Sequence, residues 1–375
     1  MMKRALLINA VCGIRSTGRI CTDIAEELEG KGYEVKIGYS RANVPLQFQK
    51  YAVRIGNSID VCTHAFMAKV FDDRGNWSKR ATKNFLKWMD DFNPDLVWIH
   101  NIHDYVINIK MLFDWLKEHP HIQVKWTQHD CWAFTGGCMH FVNLNCNEWM
   151  KGCDKCSNRY SKFGFPIVHK EKENFYKKKE AFLGVNNMTI VTPSKWMANL
   201  VKQSFLKNYT IEIQYNSIDK TIFKPTTDSD FRKRYCLESK IIILGVATAW
   251  GVDKGLYDFY ELAKLLNDEY KIVLVGLTKR QILKLPSQII GIERTNSKNE
   301  LAEIYSTADV FVNPTYADNY PTVNLEAEAC GTRVICYDVG GCKETLKSNK
   351  SKCVKTGDLE ALLYEIKTST SVECD

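Results

Sequence analysis

Short apolar runs alternate with helix-length segments along nearly the whole sequence. The first run is Ala5–Ala10, and a probable helix follows it from about Thr17 to Lys31. Runs of this length suit buried strands, and their alternation with helices predicts a parallel sheet with helices on both faces. The other predicted strands of this first series are Glu34–Tyr39, Leu96–His100, Gln123–Thr127 and Thr189–Thr192.

A second alternating series begins near Ile211, with a break in the pattern around residues 216–225. Its predicted strands are Ile241–Ala247, Lys271–Val275, Gln288–Ile292, Asp309–Val312 and Arg333–Tyr337. The 375 residues are enough for two domains of ordinary size. We therefore predict an α/β protein of two Rossmann-like, doubly wound domains facing a cleft. The predicted domains are 1–210, with a cysteine-rich insertion at about 131–160, and 211–375.

The composition predicts a cytoplasmic globular protein. Hydrophobic residues make up 45% of the chain and charged residues 25%, and no apolar run reaches the ~18–20 residues that a membrane-spanning helix needs. The first apolar run is too short for a secretory signal.

The formal net charge of +7 is unevenly spread, because many lysines fall between residues 151 and 179. Aromatic residues are interleaved with them: Tyr160, Phe163, Phe165, Phe175 and Tyr176. This pattern fits peripheral docking on the inner face of the membrane, or contact with nucleic acid. An ordinary solvated helix face would have the same composition. The modest net charge and the lack of a recognition motif disfavour nucleic acid.

One stretch, residues 318–331, predicts a strand-to-helix turn bracketed by two acids. Asp318 lies in the loop and Glu326 about one turn into the helix, while the backbone N–H groups of Tyr320 to Val323 point into the same space. A helix N-terminus attracts phosphate, and carboxylates accept hydrogen bonds from hydroxyls. Together they suit a ligand with a diphosphate and many hydroxyls, such as a nucleotide sugar. Helix capping alone would also explain the two acids.

The ordered set of motifs resembles the retaining glycosyltransferases of family 4, which have the two-domain GT-B architecture. The residues that carry the resemblance are Gly13–Arg19, His129-Asp130, Asn216–Asp219 with Phe223 and Pro225, Lys254-Gly255, Asp318–Gly331 and Gly340-Gly341 with Glu344. Transferases of capsule, exopolysaccharide and colanic-acid clusters look most similar. The resemblance covers almost the whole chain.

The resemblance implies a role for each matching residue. Lys254 should contact the donor diphosphate, Glu326 the ribose hydroxyls and Asp318 the hydroxyls of the donor sugar. His129 should reach the sugar near its reacting carbon, with His100 and His103 as weaker alternatives. The remaining donor-binding candidates are Gly13, Arg19, Asn319, Tyr320, Pro321, Thr322 and Val323.

The chain departs from the family pattern at two points. The first acid of the family's E-x7-E motif is shortened to Asp318. The arginine that usually precedes the lysine by about five residues is missing from Ala247–Asp253. Backbone amides beside Lys254 could suffice without it. The cations considered as replacements are Arg15, Arg19, Lys279 and Arg280.

Four cysteines are spaced as in a structural metal site. Cys138, Cys146, Cys153 and Cys156 end in a C-x2-C pair, which suits tetrahedral zinc. A four-thiolate site would stabilise an otherwise irregular insertion. Buried thiols or disulfides formed on oxidation are the alternatives. No cofactor is expected for catalysis, because the Asp-x-Asp pairs of metal-dependent transferases are not placed at a strand end.

The favoured hypothesis is therefore a metal-independent, retaining hexosyltransferase of cell-surface polysaccharide synthesis. It would move a sugar from a UDP- or GDP-sugar to a glycan hydroxyl, with a polyprenyl-diphosphate-linked glycan as acceptor. A hydrolysing nucleotide-sugar epimerase is the first alternative. A zinc-dependent nucleic-acid-binding protein is the second.

Overall fold

The computed structural model describes residues 2–103, 105–156, 167–227 and 229–370. The chain divides into two compact units, Met1–Gln214 and Tyr215–Asp375, and each is built around one parallel sheet. The prediction of two doubly wound α/β sheets is confirmed.

The first unit contains a seven-stranded sheet in the order β3-β2-β1-β4-β5-β6-β7, with every neighbouring pair parallel. Its strands are β1 (Lys3–Ile8), β2 (Tyr33–Tyr39), β3 (Ala52–Arg54), β4 (Leu96–Ile99), β5 (Gln123–Thr127), β6 (Met188–Thr192) and β7 (Thr210–Ile213). Its helices are α1 (Arg15–Gly30), α2 (Ser58–Phe71), α3 (Lys79–Phe92), α4 (Ile109–Glu118), α5 (Glu171–Phe182) and α6 (Lys195–Gln203). Short 3-10 turns span Leu46–Tyr51, Trp132–Phe134, Val142–Leu144 and Glu148–Met150.

The second unit contains a six-stranded parallel sheet in the order β10-β9-β8-β11-β12-β13. Its strands are β8 (Ile241–Val246), β9 (Tyr270–Val275), β10 (Ile289–Ile292), β11 (Val310–Asn313), β12 (Val334–Tyr337) and β13 (Lys352–Val354). Its helices are α7 (Phe231–Arg234), α8 (Leu256–Leu265), α9 (Lys279–Ile282), α10 (Lys298–Thr307), α11 (Thr322–Ala329), α12 (Cys342–Thr345) and α13 (Leu359–Thr370). A 3-10 turn, Val252–Lys254, precedes α8.

The central strands carry buried apolar side chains on both sides because helices cover both faces of each sheet. Residues Ala5 to Ile8 of β1 are fully buried, as are Ile242 to Leu244 of β8. The predicted N-cap of α6 is also present, since the Ser194 hydroxyl accepts the Met197 N–H at 3.0 Å.

Several elements differ from the sequence prediction, among them β3, β7, β13 and α2. The last strand of the first sheet is β7, which pairs with β6, so the first unit ends at Gln214, four residues beyond the predicted boundary. Strands β3 and β13 were not predicted because each has only three residues. Helix α2 was not predicted because its apolar residues are spread around the helix, with Ile59 and Phe66 outside and Ala68 buried.

Within the described part of the chain, no helix is both long enough and apolar enough to cross a bilayer.

Candidate functional site

Three loops of the second unit meet at the carboxyl ends of β8, β11 and β12, and glycines permit the close contacts. At Gly255 (φ 70°) a Cβ atom would lie 2.2 Å from the Pro314 carbonyl oxygen. At Gly340 (φ 58°) it would lie 1.8 Å from the Asp318 carbonyl oxygen. Both positions combine left-handed backbone with backbone-to-backbone contact, so only glycine fits. The loop between β11 and α11 is thereby held between its two neighbours, at the edge where such sheets bind ligands.

Lys254 and Asp318 form an ion pair in this loop cluster. The Lys254 Nζ lies 2.6 Å from Asp318 Oδ2 and 3.4 Å from the carbonyl oxygen of Ala317. Burial alone would lower the pKa of Lys254, but the Asp318 carboxylate outweighs it and raises that pKa above its ordinary value. The ammonium is therefore charged at neutral pH and remains partly exposed, at 35% of its side-chain area.

Asp318 also organises the turn into α11. Its Oδ1 accepts the N–H of Tyr320 at 3.2 Å, which forms a turn ahead of the helix and does not cap the helix itself. Helix α11 begins at Thr322, after Pro321 at its N-cap position. The predicted residues Asn319 to Val323 therefore form the turn and the first residues of this helix, and all of them except Pro321 carry a backbone N–H.

Glu326 lies one turn into α11, where a buried tyrosine holds it. The hydroxyl of Tyr305 on α10 donates to Glu326 Oε2 at 3.0 Å, and Tyr305 is fully buried. Burial and the nearby Glu326 carboxylate both raise the pKa of Tyr305, which stays a hydrogen-bond donor. Sequence reasoning did not find Tyr305, because it lies 21 residues before Glu326 on another helix.

A buried amide network fixes α11 against the sheet. Asn313 at the end of β11 donates to the Asn324 side chain at 2.8 Å, and Asn324 donates to the Thr345 hydroxyl at 2.9 Å. All three side chains are almost fully buried. This network carries no ligand group, but it sets the position of the helix that bears Glu326.

In the region of the missing arginine, Trp250 packs into the core while the residues on either side of it are exposed. Trp250 is 9% exposed, and its indole N–H donates to the Val275 carbonyl at 2.8 Å. The Trp250 carbonyl in turn accepts the Gln281 side-chain amide at 3.0 Å, which ties α9 to this loop. Of the replacement cations considered, Lys279 and Arg280 are therefore carried by a helix joined to the Lys254 loop. Arg15 and Arg19 belong to the first unit.

The predicted glycine loop of the first unit lies between β1 and α1. The N–H of Gly13 donates to the Gly18 carbonyl at 3.1 Å, which joins this loop to the first turn of α1. Arg19 projects from the first turns of α1 and is exposed.

His129 lies just after β5 in a cluster with His100, His103 and Asp130. His100 Nδ1 and His129 Nε2 are 2.9 Å apart, and His103 Nε2 lies 2.6 Å from Asp130 Oδ2. Burial lowers the pKa of His129 to about 4, although the Asp130 carboxylate acts in the opposite direction. Burial opposes ionisation of Asp130, but His103 and the Trp132 N–H outweigh it and lower its pKa. Both histidines that sequence reasoning treated as alternatives thus belong to the environment of His129.

The four predicted metal ligands line one small cavity. Cys138, Cys146, Cys153 and Cys156 share its wall with Phe141 and Trp149. The Gly136 N–H lies 3.1 Å from the Cys153 sulfur, and burial raises the pKa of that thiol to about 12. Within the described residues, however, no three His, Cys, Asp or Glu side chains are grouped closely enough to hold a metal ion. The zinc site therefore stays a prediction.

Metal analysis of the purified chain tests this prediction. One zinc ion per chain is expected, because binding of the ion would draw the four thiolates together into a closed tetrahedral site. Cys153→Ser and Cys156→Ser should each lower the zinc content and the melting temperature, whereas Cys236→Ser, at an exposed cysteine of the second unit, should change neither. Absence of stoichiometric zinc from the wild-type chain contradicts the prediction.

Part of the basic, aromatic segment is buried, although Tyr176 and Lys179 are exposed. Phe175 is 5% exposed and Lys178 is 2% exposed, so neither is available to a membrane surface. Lys178 instead donates to the Trp132 carbonyl and lies over the Trp132 ring, 4.2 Å from its centroid. Lys172 and Lys177 are paired with acids. The other predicted aromatic residues of this segment, Tyr160, Phe163 and Phe165, lie outside the described residues.

Together the fold and the site define a two-domain α/β protein with a cation and two carboxylates at the carboxyl edge of its second sheet. Comparison with known families identifies it further. The family model described as Glycosyltransferase Family 4 matches residues 17–221, more than half of the chain, and the model described as Glycosyl transferases group 1 matches residues 228–369. The chain belongs to Glycosyltransferase Family 4 and is a glycosyltransferase.

Curated relatives share part of their length with this chain. An N,N'-diacetylbacillosaminyl-diphospho-undecaprenol alpha-1,3-N-acetylgalactosaminyltransferase of Campylobacter jejuni is 30% identical over 32% of this chain and 32% of its own length. A putative colanic acid biosynthesis glycosyl transferase, WcaC, of Escherichia coli is 23% identical over 72% of this chain and 66% of its own length. The match thus spans about a third of the first relative and two thirds of the second.

Solved structures confirm the GT-B fold. Sucrose-phosphate synthase from Thermosynechococcus elongatus aligns with a TM-score of 0.67 at 14% identity, covering 98% of this chain and 89% of that one. Anabaena Alr3699/HepE in complex with UDP aligns with a TM-score of 0.63 at 12% identity, also covering 98% and 89%. At this identity the likeness concerns the fold alone.

Proposed function

We propose that this glycosyltransferase moves a sugar from a nucleotide-sugar donor to a hydroxyl of a lipid-linked glycan, with retention at the anomeric carbon. The observation that carries the proposal is the Lys254–Asp318 pair at the turn into α11, with Glu326 one turn further on. A cation beside a helix N-terminus suits a diphosphate, and two carboxylates suit sugar and ribose hydroxyls.

Each donor-site residue then has a separate task. Lys254 and the N–H groups at the start of α11 would stabilise the charge that develops on the departing diphosphate. Asp318 would orient the donor sugar, and Glu326 would accept hydrogen bonds from the ribose. His129 would contribute a hydrogen bond to the sugar. Since Asp318 is one methylene shorter than the family's glutamate, the sugar would sit differently or be of a different kind.

Retention needs no protein nucleophile in this proposal. The bond from the anomeric carbon to the phosphate oxygen breaks, and the bond to the acceptor oxygen forms on the same face of the sugar. The acceptor's proton passes to the departing phosphate oxygen, so atoms and charge balance without a metal ion. The NMR coupling constant of the anomeric proton in the product gives the anomeric configuration, and comparison with the donor tests retention directly.

Relatives support the classes of donor and acceptor. Alr3699/HepE has been solved with UDP and with UDP-glucose, which supports a nucleotide-sugar donor. The Campylobacter relative is named for an undecaprenyl-diphosphate acceptor, and the Escherichia coli relative for colanic acid synthesis. We therefore propose a polyprenyl-diphosphate-linked acceptor and a role in cell-surface polysaccharide synthesis.

A panel of nucleotides tests the donor proposal. We expect one nucleoside diphosphate and its cognate sugar to raise the melting temperature by a few degrees, because a ligand at ~100 times its Kd stabilises a protein by about 2.7 kcal/mol. The matched control is Glu326→Gln, in which the differences in melting temperature between nucleotides should become smaller. Equal melting temperatures with every nucleotide would contradict a donor site.

The epimerase alternative has a simple test. A hydrolysing epimerase acts on a nucleotide sugar and water alone, whereas a transferase requires the glycan acceptor. Product release that is independent of acceptor would favour the epimerase. The family assignment already favours transfer, and it does not support the nucleic-acid-binding alternative.

An acceptor on a lipid would bring the protein to a membrane, and the first unit has an exposed apolar surface that supports such contact. Ile59 and Phe66, seven residues apart on one face of α2, are 76% and 59% exposed. Ile167, which is 78% exposed, donates its backbone N–H to Val70 near the end of the same helix. Exposed Lys69 and Lys83 on α2 and α3 add positive charge.

Liposome flotation checks this contact. The wild-type chain should float with anionic vesicles at low salt, and the double substitution Ile59→Ser and Phe66→Ser should lower the floating fraction several-fold. Leu283→Ser removes an equally exposed apolar side chain from the second unit and should leave flotation unchanged. Absence of wild-type binding would remove the support for peripheral membrane contact.

A further inference from the structure

Two imidazole rings form a hydrogen bond at the carboxyl ends of β4 and β5. His100 Nδ1 and His129 Nε2 are 2.9 Å apart, with ring planes inclined by 20° and centroids separated by 5.2 Å. Burial lowers the pKa of both side chains, so each ring is neutral near pH 7 and carries a single proton. One nitrogen of the contact must therefore donate and the other must accept.

The surroundings of His100 decide between the two arrangements. Its side chain is 1% exposed, and within the described part of the chain its Nε2 is buried without a hydrogen-bond partner. A buried N–H left unpaired is costlier and rarer than an acceptor left unused. The proton of His100 therefore belongs on Nδ1, where it has the His129 nitrogen as its acceptor.

We propose that His100 is a positioning residue that holds His129 in the tautomer protonated at Nδ1. His100 Nδ1–H donates to His129 Nε2, so the lone pair of that nitrogen is occupied. His129 then presents an N–H group at its other ring nitrogen. The groups that face this pair are the Asp130 carboxylate and His103, which themselves form a hydrogen bond at 2.6 Å.

The tautomer defines what His129 can do in the reaction. This consequence rests on the proposed role of His129 in sugar transfer. At Nδ1 it can donate a hydrogen bond to an oxygen of the sugar, but it has no lone pair there with which to accept the acceptor's proton. At Nε2 the lone pair is used by His100. His129 is therefore a hydrogen-bond donor and not a general base, and the proton must leave by another route.

Nitrogen NMR of histidine-labelled protein tests the tautomer without any activity measurement. The chain has eight histidines, and the His129 signals are those missing from His129→Asn. We expect protonated Nδ1 and unprotonated Nε2 at pH 7.5, in the wild type and in His100→Asn, whose amide nitrogen replaces the Nδ1 donor. Protonation of His129 at Nε2 in the wild type would overturn the inference, whether or not the protein proves to be a transferase.

Kinetics of His100 variants test the positioning role. His100→Leu removes the donor and should lower kcat/KM by about tenfold with a mixture of His129 tautomers, while His100→Asn should keep activity within about threefold. His121→Leu, at an exposed histidine, is the control and should be unchanged. If His100→Leu does not fold, the wild-type and His100→Asn spectra still decide. The positioning role is refuted if His100→Leu keeps the wild-type tautomer of His129 and the wild-type rate. If neither the wild type nor any variant transfers a sugar, only the proposed function is refuted.

Discussion

Replacing Lys254 with alanine is expected to lower kcat/KM for the nucleotide-sugar donor at least about tenfold, the loss of one charged contact of ~1.4 kcal/mol or more. The reason is that Lys254 is the cation at the carboxyl edge of β8, where the family's usual second cation is absent and Trp250 is buried in the core. Steady-state kinetics with varied donor measures the effect. Lys254→Arg keeps the charge but not the compact ammonium, so an intermediate rate is expected.

The ion pair with Asp318 requires a control for effects on the free protein. Removing Lys254 leaves the Asp318 carboxylate without its partner at 2.6 Å, so part of the loss reflects a displaced loop. A double-mutant cycle with Asp318→Asn separates the two contributions. Lys264→Ala is the matched control, because Lys264 also pairs with a carboxylate, at 2.7 Å, but on the exposed face of α8. Wild-type rates in Lys254→Ala would refute the donor-site assignment.

The fold could be predicted because its signal is local. Buried parallel strands such as Leu96–Ile99 are continuous apolar runs, and the structure has that strand within one residue of its predicted bounds. The sequence pattern does not predict elements that are very short or whose apolar residues lack a clear period. Three residues of β13 leave no pattern, and the apolar residues of α2 follow no single stripe.

The sequence names candidate site residues one by one but does not show which of them are in contact. Lys254 and Asp318 could each be placed at a strand end, yet they are 64 residues apart and no spacing rule shows that they touch. Tyr305 was not found at all, because its contact with Glu326 joins two different helices. His100 and His129 are 29 residues apart, at the ends of neighbouring strands. Motif reasoning names residues singly, while parallel sheet topology brings the ends of non-consecutive strands together.

The carboxylate of Glu326 is expected to be the second most sensitive point, with turnover at least about tenfold lower in Glu326→Ala. The structure makes this variant ambiguous alone, because Glu326 also accepts the hydroxyl of fully buried Tyr305 at 3.0 Å. Removing the acceptor leaves a buried hydroxyl unpaired, which costs about 1–3 kcal/mol of unfolding free energy. Part of any lost activity could then come from a destabilised α11.

Tyr305→Phe resolves that ambiguity because it removes the hydroxyl and keeps the carboxylate. If Glu326 binds ribose, Tyr305→Phe should retain most of its activity. Glu326→Ala should lose activity even under assay conditions in which a urea titration shows that the variant is folded. Glu328→Ala is the matched control on the same helix, since Glu328 accepts the N–H groups of Lys347 and Ser348 instead. Equal losses in Tyr305→Phe and Glu326→Ala would mean that the pair acts only by holding α11, and Glu326 would then have no direct part in binding the donor.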